Sequence, residues 1–150
     1  MKTMRTIYLD MDGTFVNLYG VENWLPMLRA ENTLPYEIAK PLVNFSYMAR
    51  LLNQAQKCGY RIGIISWLCK GGSKEYNKAV EQVKVDYLRK HLPSVQFDEI
   101  NILPYGIDKG FFNNGNDILI DDEEKNRIDW NGEAYRAENL LAVLKEIVRG

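Results

Sequence analysis

Four short apolar runs recur along the chain, and each stops at a residue able to do chemistry or at a turn. They occupy residues 6–10 (TIYLD), 60–66 (YRIGIIS), 97–104 (FDEINILP) and 117–122 (DILIDD). Continuous apolar runs of this length belong to strands buried on both faces, and alternation with helices implies parallel pairing. The intervening segments have helical spacing. Residues 42–57 place Val43, Tyr47, Leu51 and Ala55 on one face, with Gly59 just past the end. Residues 73–91 place Tyr76, Val80, Val83, Tyr87 and Leu88 on one face behind a capping Ser73. Residues 137–148 form a closing amphipathic helix, and GEAYRA offers a short fifth strand. Residues 17–40, with Trp24, Leu25, Leu28, Pro26 and Pro35, read as short helical pieces. The expected architecture is a single α/β domain over residues 1–150, a mainly parallel sheet between helices.

Such sheets bind ligands beyond the carboxyl ends of their strands. The first run ends at Asp10 and Asp12, the second at Ser66, the fourth at Asp121 and Asp122, and Lys109 follows the third. Acids brought together repel one another and lose hydration, so they either stay solvated or hold something positive between them. Clustered carboxylates suit a hard cation such as Mg2+. Ser66 and Lys109 add donors for an anion's oxygens. The reaction that fits is phosphoryl transfer through an aspartyl phosphate. Asp10 is the nucleophile. Asp12 protonates the leaving oxygen and then deprotonates water. Gly13 permits the sharp turn and close backbone approach.

These residues carry a resemblance. DMDGT (Asp10 to Thr14) matches the DxDGT nucleophile motif of the haloacid dehalogenase (HAD) superfamily of phosphatases. GIIS (Gly63 to Ser66) resembles the second motif, Lys109 in GIDKG the third, and ILIDDEEKN the fourth, all in order between residues 6 and 126. Within the superfamily the chain looks most like the 5′(3′)-deoxyribonucleotidases and their bacterial and phage relatives. The resemblance implies a Rossmannoid sheet ordered 5-4-1-2-3 and a Mg2+ cofactor. It implies metal ligation by an Asp10 side-chain oxygen, the Asp12 carbonyl and an acid of the Asp121–Asp122 pair. Asp122 is the expected direct ligand and Asp121 the water-mediated or supporting one. Gly13, Thr14, Ser66, Trp67 and Lys109 form the expected substrate-binding set. Two features depart from the pattern. Trp67 stands where small residues are usual, as a base-stacking or rim-covering group, and only about 25 residues, 16–41, remain for a cap.

The expected partner is a small phosphorylated substrate, a (deoxy)nucleoside monophosphate before all others. The alternatives are a phosphatase of sugar phosphates or nucleic-acid ends, and a phosphate-binding HAD-fold protein without turnover. A receiver-like module would need its phosphoacceptor on the third strand, where NILPYG has no acid. A calcium loop fails because Phe15 and Val16 stand where oxygen ligands belong. Asp10 and Asp12 alone would also suit a solvated turn, Ser66 a strand end, and Asp121 and Asp122 the start of a helical turn. Lys70, Lys74 and Lys78 compete with Lys109 but read as a solvated face. Asn126 has at most a supporting place in its loop. His91 reads as a helix C-terminal cap, and Trp24 and Trp130 as packing residues. The net charge of −1 gives no field for an obligatory nucleic-acid or membrane partner. Cys58 and Cys69 form no metal-binding pattern and read as reduced thiols. With no signal-like start and no run of roughly 18 apolar residues, the expectation is a soluble, cytoplasmic protein.

Overall fold

The computed structural model describes residues 4–150; Met1, Lys2 and Thr3, which belong to the basic start, lie outside the described residues. In chain order the first elements are β1 (Thr6–Leu9), β2 (Val16–Asn17), α1 (Trp24–Arg29), α2 (Leu34–Ile38) and β3 (Lys40–Pro41). Next come α3 (Phe45–Lys57), β4 (Arg61–Trp67), α4 (Lys74–His91) and β5 (Glu99–Leu103). The chain ends with β6 (Ile118–Ile120), α5 (Glu124–Asp129), β7 (Glu133–Tyr135) and α6 (Leu140–Arg149). The main sheet has five strands in the order β5-β4-β1-β6-β7, and every neighbouring pair is parallel. The labels differ in detail from the expected 5-4-1-2-3 because β2 and β3, which left no pattern in the sequence, enter the count; numbered within the main sheet alone, the strands run 5-4-1-2-3. They pair antiparallel outside the main sheet, Val16 opposite Pro41 and Asn17 opposite Lys40.

Side chains alternate across the sheet with a period of two. Ile7, Leu9, Ile62, Ile64, Ile118 and Ile120 point into the larger core, which α3 and α6 cover. Tyr8, Ile65 and Leu119 point the other way, onto Trp130. Tyr8 meets the Trp130 ring edge-on at 5.6 Å and lies against Gly63, where any Cβ would collide with its ring. The helix expected from residue 42 begins at Phe45. Residues 40–41 are spent in β3, and the Asn44 side chain accepts from the Tyr47 amide at 3.0 Å, a cap that fixes the start. The α4 helix starts as its sequence indicates, with the Ser73 hydroxyl accepting from the Tyr76 amide.

A buried carboxylate joins the two central strands. Asp117 accepts from the amides of Thr6 and Asn114, each at 2.9 Å, and its carbonyl accepts from the Trp130 indole at 3.1 Å. Asp117→Ala should therefore destabilise the domain by about 1–3 kcal/mol for each amide left without an acceptor. Urea unfolding of the variant beside the parent protein measures it. No helix among the described residues is long and apolar enough to cross a membrane.

Candidate active site

The carboxyl end of β1 runs directly into a tight turn. The amides of Thr14, Phe15 and Val16 all donate to the Met11 carbonyl at 3.1 Å, and the Gly13 amide donates to the Val16 carbonyl at 2.8 Å. Gly13 sits at φ 82°, and a Cβ there would run into the Asp122 carboxylate. Glycine is required on both counts. The turn brings Asp10 beside Asp121 and Asp122 at the end of β6. One oxygen from each of these three carboxylates lies within 4.8 Å of the others.

The three acids are treated differently by their surroundings. Asp121 is fully buried and saturated: Lys109 Nζ at 2.6 Å and Asn126 Nδ2 at 3.1 Å share one oxygen, and the Glu123 amide takes the other at 2.9 Å. Asp10 accepts from Lys109 at 3.0 Å on one oxygen and from the Thr14 hydroxyl at 2.9 Å on the other. Asp122 has no cationic partner among the described residues. Burial, and then the negative charge of Asp10, push the Asp122 carboxyl well above the usual carboxylate range. Asp121 is raised for the same two reasons, in the same order. An all-oxygen cluster with more negative charge than its one lysine balances fits a hard divalent cation, with Asp10 and Asp122 nearest to it and Asp121 behind.

Lys109 lies in a short 3-10 turn (Lys109–Phe112) that the Asp108 side chain caps through the Gly110 amide at 2.7 Å. Only 1% of its side chain is exposed. Burial pulls its pKa down, but Asp10 and Asp121 outweigh burial and raise it to about 12. Lys109→Met should cost about 3–5 kcal/mol in urea unfolding, because the buried acids lose their counter-charge. Added Mg2+ should recover part of that loss; an unchanged deficit would show that the acids do not share a cation.

Ser66, at the end of β4, is also buried, and the group that meets it was not foreseen. Lys84 on α4 donates to Ser66 Oγ at 2.7 Å, to Asp12 Oδ2 at 2.8 Å and to the Trp67 carbonyl at 2.7 Å. Only 2% of the Lys84 side chain is exposed. The one available signal was its place four residues after Val80 and four before Leu88, on the apolar face of α4. Thr14 is buried as well. Its hydroxyl donates to Asp10 and accepts from the Asp122 amide at 3.2 Å, so this side chain braces the acids.

Above the acids lies a cavity of about 440 Å³. Trp67 forms one wall, its indole donating to the Ile107 carbonyl at 2.9 Å and its ring 5.0 Å from that of Tyr105. Tyr19 and Trp24, with ring centroids 4.9 Å apart, form another, and Tyr36 a third. Trp24 packs against the cluster of Leu18, Leu28 and Tyr36 as expected and also lines the cavity, and Trp130 packs in the core as expected. Of the competing lysines, Lys70 reaches the cavity rim, while Lys74 and Lys78 are exposed on α4. Asn126 supports Asp121, and His91 ends α4 with its ring 4.1 Å from that of Tyr87. Both cysteines are free thiols. Tyr19, Tyr36, Tyr105 and Lys84 had no assignment from sequence.

The insertion between β2 and β3 is fastened to α4 along its length. Glu31 accepts from the Ser73 amide and hydroxyl, both at 2.7 Å. Tyr76 donates to the Asn32 carbonyl at 2.9 Å and Tyr87 to the Ala39 carbonyl at 2.6 Å. Leu18, Leu28 and Tyr36 complete the contact by packing with Tyr76 and Val80.

The chain superposes on the crystal structure of D,D-heptose 1,7-bisphosphate phosphatase from Burkholderia thailandensis. The TM-score is 0.53, with 97% of this chain and 99% of that chain covered at 10% sequence identity. At that identity the likeness is one of fold. No protein-family model matches the chain, and no curated protein matches it in sequence.

Proposed function

We propose that this chain is a HAD-type phosphomonoester hydrolase that uses Mg2+ and an aspartyl-phosphate intermediate, with a nucleoside 5′-monophosphate as its leading substrate. The observation that carries the reading is the meeting of Asp10, Asp121 and Asp122 with Lys109 on one rim, at the floor of a cavity with aromatic walls. Asp10 attacks phosphorus as the bond to the leaving oxygen breaks, and Asp12 gives that oxygen its proton. Asp12 then takes a proton from the water that attacks phosphorus, which releases inorganic phosphate and restores Asp10. Lys109 and Thr14 hold the two oxygens of Asp10 and so fix its direction. Asp10, Asp122 and the Asp12 carbonyl would hold Mg2+, with Asp121 in support. Bound there, the ion would offset the repulsion between the acids and an incoming phosphate dianion.

Residues 16–41 act in this reading as a small cap over the leaving group. Tyr19, Trp24, Trp67 and Tyr105 offer ring faces suited to a planar base. The runner-up substrate, a sugar phosphate, draws its support from the fold shared with the heptose bisphosphate phosphatase. The test is phosphate release from nucleoside monophosphates, sugar phosphates, a 5′-phosphorylated oligonucleotide and 4-nitrophenyl phosphate, with Mg2+ and with a chelator. Release that the chelator stops and fresh Mg2+ restores is expected. Release from no monoester would remove the enzymatic reading in favour of phosphate binding without turnover.

A further inference from the structure

We propose that Lys84 is a positioning residue for Asp12 and Ser66, an inference that rests on the phosphohydrolase reading and deepens it. An ammonium group has three N–H donors and no acceptor. All three are spent here within 2.8 Å, on Asp12 Oδ2, Ser66 Oγ and the Trp67 carbonyl. The three acceptors come from two different segments, the turn after β1 and the end of β4. Lys84 therefore ties the proton-transfer residue to the neighbouring strand. The Tyr36 ring lies 5.2 Å from Nζ and helps to close the site to water.

Two consequences follow from the donor count. Asp12 is held by one oxygen, and its second oxygen takes no hydrogen bond from the described residues, which leaves it for the leaving group and then for water. Ser66 already accepts from Lys84, so its own O–H is directed to another acceptor, and a phosphoryl oxygen is the acceptor that the reaction supplies. Lys109 balances the nucleophile's side of the site and Lys84 the acid–base side. Neither lysine can substitute for the other, because each has its donors committed to different acids.

The test is kcat/KM of Lys84→Met, which reads the first, phosphorylating step, with phenyl phosphate, a poor leaving group, and 4-nitrophenyl phosphate, a good one, in Mg2+. A misplaced general acid should lower kcat/KM by roughly 10²-fold or more for phenyl phosphate. The loss should be much smaller for 4-nitrophenyl phosphate, with inhibition by inorganic phosphate little changed. Equal losses in kcat/KM with the two esters, or a loss matched by an equal weakening of inhibition by inorganic phosphate, would overturn the assignment. Should Lys84→Met fail to fold, the double variant with Asp12→Asn leaves neither charge unpaired. It should show the same leaving-group profile as Asp12→Asn alone, and a further selective loss with phenyl phosphate would overturn the role. Parent protein that hydrolyses neither ester defeats the phosphohydrolase reading and this inference together. Parent activity with an unimpaired Lys84→Met defeats the inference alone.

Discussion

Asp10→Asn should reduce turnover of every phosphomonoester to background, a loss on the order of 10⁶-fold, as expected when the attacking group of a covalent mechanism is removed. The amide has nearly the volume of the carboxylate; its oxygen can still accept from Lys109, and its NH2 group can donate to the Thr14 hydroxyl, so the turn after β1 should keep its shape. It cannot form the acyl phosphate at a useful rate. Stability should move the other way. Asp10 is one of three acids around a single lysine, and its charge is part of what raises Asp122. In Mg2+-free buffer the variant should melt at the same temperature as the parent protein or higher, and its response to Mg2+ should be weaker. The paired measurement is phosphate release beside thermal unfolding with and without the ion. Retained turnover would take the nucleophile's role from Asp10.

Asp12→Asn should show a loss that depends on the leaving group. General acid–base assistance contributes roughly 10²–10⁴-fold. Alkyl and phenyl esters should suffer most of that, and the first step with 4-nitrophenyl phosphate should suffer least, because nitrophenolate departs without a proton. Hydrolysis of the aspartyl phosphate needs the same carboxylate as base and should slow for every substrate. Phosphorylated protein should then accumulate after mixing with 4-nitrophenyl phosphate, visible as a burst of nitrophenolate and as a phosphoryl adduct in the intact mass. Burial raises the Asp12 carboxyl above the usual carboxylate range, while Lys84 opposes that rise. A raised pKa keeps the acid form available at higher pH than an exposed aspartate allows. Uniform loss across leaving groups, with no burst, would count against the assignment.

The main strands could be read from the sequence because strands buried on both faces cannot hide their apolar runs, and the acids at their ends have few structural uses. Asp10, Asp121 and Asp122 follow from that logic, and Lys109 follows from its order in the chain. Lys84 did not, since a lysine on a long helix reads as surface; only three acceptors from distant segments make its burial tolerable. Thr14 shows the opposite limit. Its identity was noticed, but no local pattern tells which partners a hydroxyl will find, and both of its partners here are other site residues. The β2–β3 pair is two residues per strand, too short for any alternation to register. Residues 17–40 have no sustained period, so the ring walls of the cavity emerged only with the folded path of the chain.

The fastening of the insertion to α4 sets how a substrate can be chosen. Three polar ties and an apolar contact would have to break together for the roof to swing away. In the proposed function, entry and exit would then use a standing doorway, without a closing motion that assembles the reacting groups only around a correct guest. Selection without induced fit falls to the fixed shape and chemistry of the walls, where one methylene more or less discriminates by only about 10–200-fold. Under the proposed function, the chain should accept a family of similar monoesters at graded rates, with solvent viscosity slowing it through diffusion rather than through a moving flap.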